Sequence, residues 1–156
     1  MKKILLVLAI GVFIGGCATD YQKDGFSGGF SETQMSENVW RVHFKANGFS
    51  SMERATDFCL LRSAELTLEN GYKYFAIVNE NSSTELKTFT SAPQAHTNAY
   101  GYTTFTGGQT FTSNHPRVQN TVFMLKEKTD KAGIVYEAQF IVQSLRSKYS
   151  GEFKNK

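Results

Sequence analysis

The chain opens with Lys2-Lys3 and then an apolar run from Ile4 to Ile14 that no charge interrupts. A membrane-spanning helix needs roughly 20 apolar residues, so this run is too short to cross and instead has the layout of a secretory signal. Beyond it the period of the pattern becomes two. Phe30–Met35 and Val39–Ala46 read as a β-hairpin, joined by the turn Ser36-Glu37-Asn38, whose Asn tolerates a left-handed conformation. Trp40, Val42 and Phe44 fall on one face, and Arg41, His43 and Lys45 on the other. His43 is then a solvated strand residue.

Asn47-Gly48 ends the strand, and the spacing turns helical. Ser50 serves as N-cap, with Glu53 completing a capping box. Ala55, Phe58, Cys59, Leu61, Leu66 and Leu68 form a wide apolar face up to about Asn70, and Gly71 suits the left-handed residue that follows a helix. Arg62 interrupts that face. Snorkelling of its stem, an ion pair with Glu65 or Glu69, or binding of an anionic group would each account for it. Tyr72–Val78 is apolar on both faces, as in a central strand, with Tyr72, Tyr74, Ala76 and Val78 sharing one of them. Val118–Lys126 is a further strand, Lys126–Gly133 a charged turn, and Ile134–Lys148 a second helix with Tyr136, Phe140 and Leu145 near one stripe. The pattern predicts an α+β domain: a small, mainly antiparallel sheet of about four strands, ordered β-β-α-β-loop-β-α, with two helices packed on one face.

Between the last two strands the composition changes. Residues 82–116 are rich in Thr, Ser, Gly, Asn and Gln, and no Asp, Glu, Lys or Arg occurs between Thr88 and Pro116. Thr-Phe-Thr recurs at 88–90, 104–106 and 110–112. Two readings fit, a protruding loop or an extended β-ribbon turned at Gly107-Gly108. The length without helical period favours the loop, with short ribbon pieces near its ends. Uncharged aromatic tracts associate readily, so Phe89, Tyr100, Tyr102, Phe105 and Phe111 are the candidate partner-binding residues.

Chemistry enters at Ile14-Gly15-Gly16-Cys17. A cysteine directly after two small residues turns a secretory signal into a lipobox: the peptide 1–16 is cut, and Cys17 receives a diacylglyceryl thioether and an N-acyl chain. Each buried CH₂ contributes about 0.8 kcal/mol, so several chains hold a protein to a membrane where one does not. Residue 18 is Ala rather than the Asp that favours inner-membrane retention, which points to the outer membrane, facing the periplasm. Residues 17–29 would form a lipidated, flexible tether, 30–149 the domain and 150–156 a polar tail. Cys59 is then a lone thiol, expected buried as a small hydrophobe rather than reactive.

Without residues 1–16, 15 basic residues face 14 acidic ones, so the mature chain has no electrostatic case for nucleic acid. Gly25-Phe26-Ser27-Gly28-Gly29 fits G-x-S-x-G, but a nucleophile elbow needs a strand before the serine and a helix after it, and neither is predicted. The glycine pair more simply lets the backbone bend into the domain. His43, His96 and His115 show no metal-ligand spacing. No phosphate loop or carboxylate dyad stands out. The expectation is a protein without catalytic residues, metal or cofactor.

Tyr21-Gln22, Gly28-Gly29-Phe30-Ser31-Glu32-Thr33-Gln34, Asn38-Val39-Trp40-Arg41-Val42, Asp57-Phe58, Leu61-Arg62-Ser63-Ala64-Glu65-Leu66-Thr67 and Gly71-Tyr72-Lys73-Tyr74-Phe75 together resemble a family of small proteobacterial lipoproteins with no established function. The resemblance covers the lipobox to Val78 and implies the lipoprotein character, with no catalytic residue to carry over. The expected role is that of a membrane-anchored structural or interaction module of the cell envelope, its partner an envelope protein. The alternative is a cell-wall or small-ligand binding, envelope-stress module, stacking peptidoglycan or a glycan on Tyr100 and Tyr102, with Arg62 or Arg117 for anions.

Overall fold

A computed structural model describes residues 18–129 and 133–153. The hairpin forms as the alternation requires: β1 (Gly29–Ser36) pairs antiparallel with β2 (Val39–Lys45). Val42 and Phe44 are fully buried, while Arg41, His43 and Lys45 face the other side. The turn is tighter than predicted, and no non-glycine residue among the described ones takes a positive φ. Asn38 instead bonds across the sheet. Its side-chain amide donates to the Met124 carbonyl and its own carbonyl accepts from Met124 N–H.

Helix α1 (Met52–Glu69) starts one residue later than the spacing predicts. Ser51 is the N-cap and accepts from Arg54 N–H, because Ser50 is buried and its hydroxyl is engaged by Thr19 N–H. At the other end Gly71 takes φ 79°, the expected left-handed residue. Two polar residues on the buried face, Ser63 and Thr67, donate their hydroxyls to the carbonyls one turn back, Cys59 and Ser63, so burial leaves neither unsatisfied.

The sheet has five strands rather than about four, all antiparallel, in the order β1-β2-β6-β3-β7. β3 (Tyr74–Thr90) and β6 (Thr110–Leu125) are its long members. The missed strand is β7 (Val135–Glu137), which lies where the second helix was predicted to begin. Val135 and Tyr136 are β-branched and aromatic, and Tyr136 stacks on Phe75 of β3 at 5.3 Å. Sheet pairing there overrides the helical spacing. Helix α2 (Ala138–Lys148) follows and lies against α1 more than on the sheet, buried at Ala138 and Leu145. Lys148 bridges to Glu53 and Asp57 of α1, and Arg146 to Glu65. A short α3 (Ser150–Phe153) stands where a polar tail was expected.

Phe44, Phe58 and Phe75 are fully enclosed between α1 and the sheet, each worth about 1.5–3 kcal/mol. The predicted tether does not behave as one. Thr19 is buried, and Tyr21 packs on Phe30 at 4.9 Å and Phe58 at 5.4 Å while its hydroxyl donates to Glu65. Gly28 and Gly29 make this return possible, with φ 94° and 137°. A Cβ on either would lie 2.4 Å from a carbonyl oxygen, of Lys45 and Gln22 respectively.

Candidate functional site

The segment 82–116 is not the loop the sequence analysis favours. β3 and β6 continue past the end of β2, which stops opposite Arg117, as a two-stranded ribbon paired residue for residue from Thr84↔Pro116 to Thr90↔Thr110. The tip hairpin β4 (Gln94–Thr97) and β5 (Thr103–Thr106) keeps the same register, Gln94↔Thr106 to Thr97↔Thr103. From Thr84 to Thr97 each arm is roughly 45 Å long at about 3.3 Å per residue.

The turn also lies elsewhere than Gly107-Gly108. It is at Asn98–Tyr102, where the Asn98 side-chain oxygen accepts from Tyr100 and Tyr102 N–H and Gly101 takes φ 81°. Gly107 and Gly108, at φ 106° and 76°, instead carry the chain through a break in the ladder opposite Ser91–Pro93. Ser91 and Gln109 bond across that break.

The recurrent triplet now has a physical meaning. Thr88-Phe89-Thr90 lies opposite Thr110-Phe111-Thr112, so Phe89 and Phe111 are partners on one face and two threonine pairs line the other. The Thr90 and Thr110 hydroxyls are 3.2 Å apart. All five predicted aromatic residues lie on this ribbon and are open to solvent: Phe89 70 % exposed, Phe111 58 %, Phe105 74 %, and at the turn Tyr100 87 % and Tyr102 72 %. Phe105 is set opposite Ala95. Cys17 lies outside the described residues.

Down the Phe89–Phe111 face towards the sheet come Lys87, then Glu85 opposite His115, then Arg117. These meet Lys45, Asn47 and the turn Asp24–Gly28 around a cleft of ≈ 250 Å³. Its charges are largely matched in place. Lys45 Nζ is 2.6 Å from Asp24 Oδ2, and Arg117 Nε donates to Glu85 at 2.9 Å. The Arg117 guanidinium holds the Glu85 carboxyl below its ordinary range. A smaller depression beside it, ≈ 150 Å³, is shared by Lys45, Arg117 and His43. Partial burial, then Arg41 and Lys45, push the His43 pKa down, so its imidazole is neutral at pH 7. Sequence reasoning missed this cleft because its residues, from Asp24 to Arg117, converge only once the ribbon is paired.

Ser27 reaches the cleft inside the tight turn closed by Gly25 and Gly28, with no strand before it, and its hydroxyl accepts from Gln22 Nε2 at 2.9 Å. That is not an elbow geometry. Among the described residues no hydrogen bond joins Ser27 to His115, and no His, Cys, Asp and Glu cluster could hold a metal.

Arg62 resolves as an ion cluster. Its guanidinium meets Glu69 at 2.8 Å, Glu32 at 3.0 Å and Glu65 at 3.7 Å, and lies over the Phe30 ring. Burial works against its charge, but the Glu69 and Glu32 carboxylates outweigh it and raise the pKa further. Three carboxylates leave no place for an exogenous anion. Cys59 is fully buried, with Sγ 3.5 Å from the Val42 carbonyl, and burial pushes its thiol pKa up to about 12.

No protein-family model matches the chain, and no match to it is found among curated proteins or solved structures.

Proposed function

We propose that this protein is a lipid-anchored module of the bacterial cell envelope, held by Cys17 at the outer membrane facing the periplasm, and that its ribbon is the surface that meets a protein partner. It belongs, on this reading, with the small proteobacterial lipoproteins it resembles, and its role is structural rather than catalytic. The observation that carries the reading is the ribbon itself. An isolated two-stranded ribbon is marginal in water, yet this one stands clear of the core with five exposed aromatic residues and no charge from Thr88 to Pro116. Both its outer edges have unpaired backbone groups, which a partner can extend by strand addition.

Deleting residues 86–114 and joining Glu85 to His115 through Asn-Gly tests this directly, because those two residues are already cross-strand partners. Crosslinking in the native envelope should give adducts with the full chain that vanish with the shortened one. Adducts that persist would refute the assignment.

The cleft at the ribbon's root favours a second reading, a cell-wall or small-ligand module. Beside the matched pairs Lys45–Asp24 and Arg117–Glu85, Lys87 and His115 also line it, next to the Phe89–Phe111 pair, a mixed polar and aromatic surface suited to a sugar. Sedimentation with purified peptidoglycan separates the two readings: retention lost in Lys87→Glu supports the second, and no retention supports the first.

A further inference from the structure

Three exposed phenylalanines belong to neither the ribbon nor the core: Phe140 on α2, and two that lie beside the N-terminal segment. Phe26, at the tip of the turn Gly25–Gly28, is fully exposed, and Phe49, in the loop after β2, is 71 % exposed. They are distant from each other's strands but are fixed to one residue. The Thr19 hydroxyl donates to the Ser27 carbonyl at 2.8 Å and accepts from Asn47 N–H at 2.8 Å. Thr19 N–H donates to the Ser50 hydroxyl at 2.9 Å, and the Arg54 guanidinium holds the Thr19 carbonyl at 3.0 and 3.2 Å. The two phenylalanine-bearing turns are thus clasped around buried Thr19.

Only Ala18 separates Thr19 from Cys17. Two residues of chain span at most about 7 Å, so acyl chains on Cys17 enter the bilayer within that reach of the clasp. We propose that Phe26 and Phe49 are a bilayer-docking pair, which enter the lipid interface beside the acyl chains and fix the domain's orientation on the membrane. The proposal rests on the lipid anchor at Cys17 and replaces the flexible tether with a rigid seat. Phenylalanine is among the residues that membrane-surface segments bury, and such an apolar face settles about 5–10 Å into the headgroup–acyl boundary.

The ribbon leaves the sheet at this same end. Gly28 approaches Lys45, whose strand partner is Arg117, and Gly48 abuts Ser113 and His115. A domain seated on Phe26 and Phe49 therefore has the root of its ribbon close to the bilayer.

The test uses the full chain, matured in a Gram-negative envelope, purified and reconstituted into phosphatidylethanolamine–phosphatidylglycerol vesicles with or without brominated acyl chains. Phe26→Trp and Phe49→Trp are read separately, against Met35→Trp. Met35 is exposed and lies six residues along β1 from Gly29, about 20 Å from the clasp. Measured as the emission added to that of Trp40 in the parent, Phe26→Trp and Phe49→Trp should shift to the blue on vesicle binding and be quenched by bromine, while the emission added by Met35→Trp neither shifts nor is quenched. Vesicle-bound protein whose emission is unquenched at positions 26 and 49 overturns the docking pair and leaves the anchor standing. Equal quenching at all three positions also overturns it. Protein that fails to float with vesicles and carries an unmodified Cys17 by mass spectrometry overturns the anchor and the docking together.

Discussion

Arg62 sits at a core-facing position of α1, and its place in the fold depends on Glu32, Glu65 and Glu69. Arg62→Met would leave those carboxylates facing one another. A fully buried pair broken this way loses about 3–5 kcal/mol, but Glu69 is 54 % exposed and partly screened. We therefore expect a loss of about 2–3 kcal/mol, read as a lower urea midpoint at unchanged slope. Cys59 makes a prediction in pH. The thiol titrates near 9.0 when unfolded and is pushed up to about 12 by burial. Through that window the unfolded chain sheds a proton that the fold retains, so stability falls as pH rises and is unaffected below it. Tyr149, raised to about 12 by burial and then its bond to Asp57, and Tyr21, raised by burial and then Glu65, act in the same direction above pH 10. The thermal midpoint should be insensitive to these groups from pH 7 to about 9 and fall beyond, less steeply in Cys59→Ala. A midpoint that stays level to pH 11 would contradict this. At this scale the sequence was informative where alternation decides burial, as at Val42 and Phe44. For Arg62 it offered the pairs with Glu65 and Glu69 that do form, and it was silent only on Glu32, thirty residues away on β1.

At the scale of elements, the hairpin, the first helix and the core-side parts of β3 and β6 were legible from period, with the helix cap placed one residue early. The rest depended on pairing across long separations. β7 was hidden because Val135-Tyr136 suits either a strand or the start of a helix, and only Phe75 decides between them. Val78 was assigned to the face of Tyr74 and Ala76, yet a register shift between Ile77 and Asn79 turns it to solvent. The ribbon was misread because residues of Thr, Gly and Ser composition carry no local sign of their partner. The Thr-Phe-Thr recurrence was visible, and its cross-strand meaning was not. Since the core lies on the near side of Arg117, replacing residues 86–114 by Asn-Gly should move Tm by less than about 5 °C, equivalent to under about 1 kcal/mol. A collapse of Tm would show the ribbon to be part of the folding unit. Gly29→Ala acts at the ribbon's root, since Gly29 pairs with Lys45 and Lys45 with Arg117. With φ 137° and a carbonyl oxygen 2.4 Å from the new Cβ, it should cost about 1–3 kcal/mol and expose Lys23 to trypsin in the otherwise folded protein.

For the whole molecule, the N-terminal segment, the two phenylalanine turns and the root of the ribbon gather at one end, and the start of α1, tied to α2 by salt bridges, holds Thr19 there. The proposed lipid anchor at Cys17 would give that polarity a use, because it would set the root of an aromatic, uncharged ribbon next to whatever shares the membrane. The sequence made the aromatic positions of the ribbon legible. The closeness of the ribbon's root to the N-terminal segment was not, since it follows from Thr19 docking and from the register of β2 on β6. The most direct measurement is photo-crosslinking in living cells from a benzoylphenylalanine placed at Phe105, compared with one at Phe140, which is equally exposed but on α2. The account predicts a discrete adduct from position 105 and none from 140. The same faint, heterogeneous products from both would contradict it.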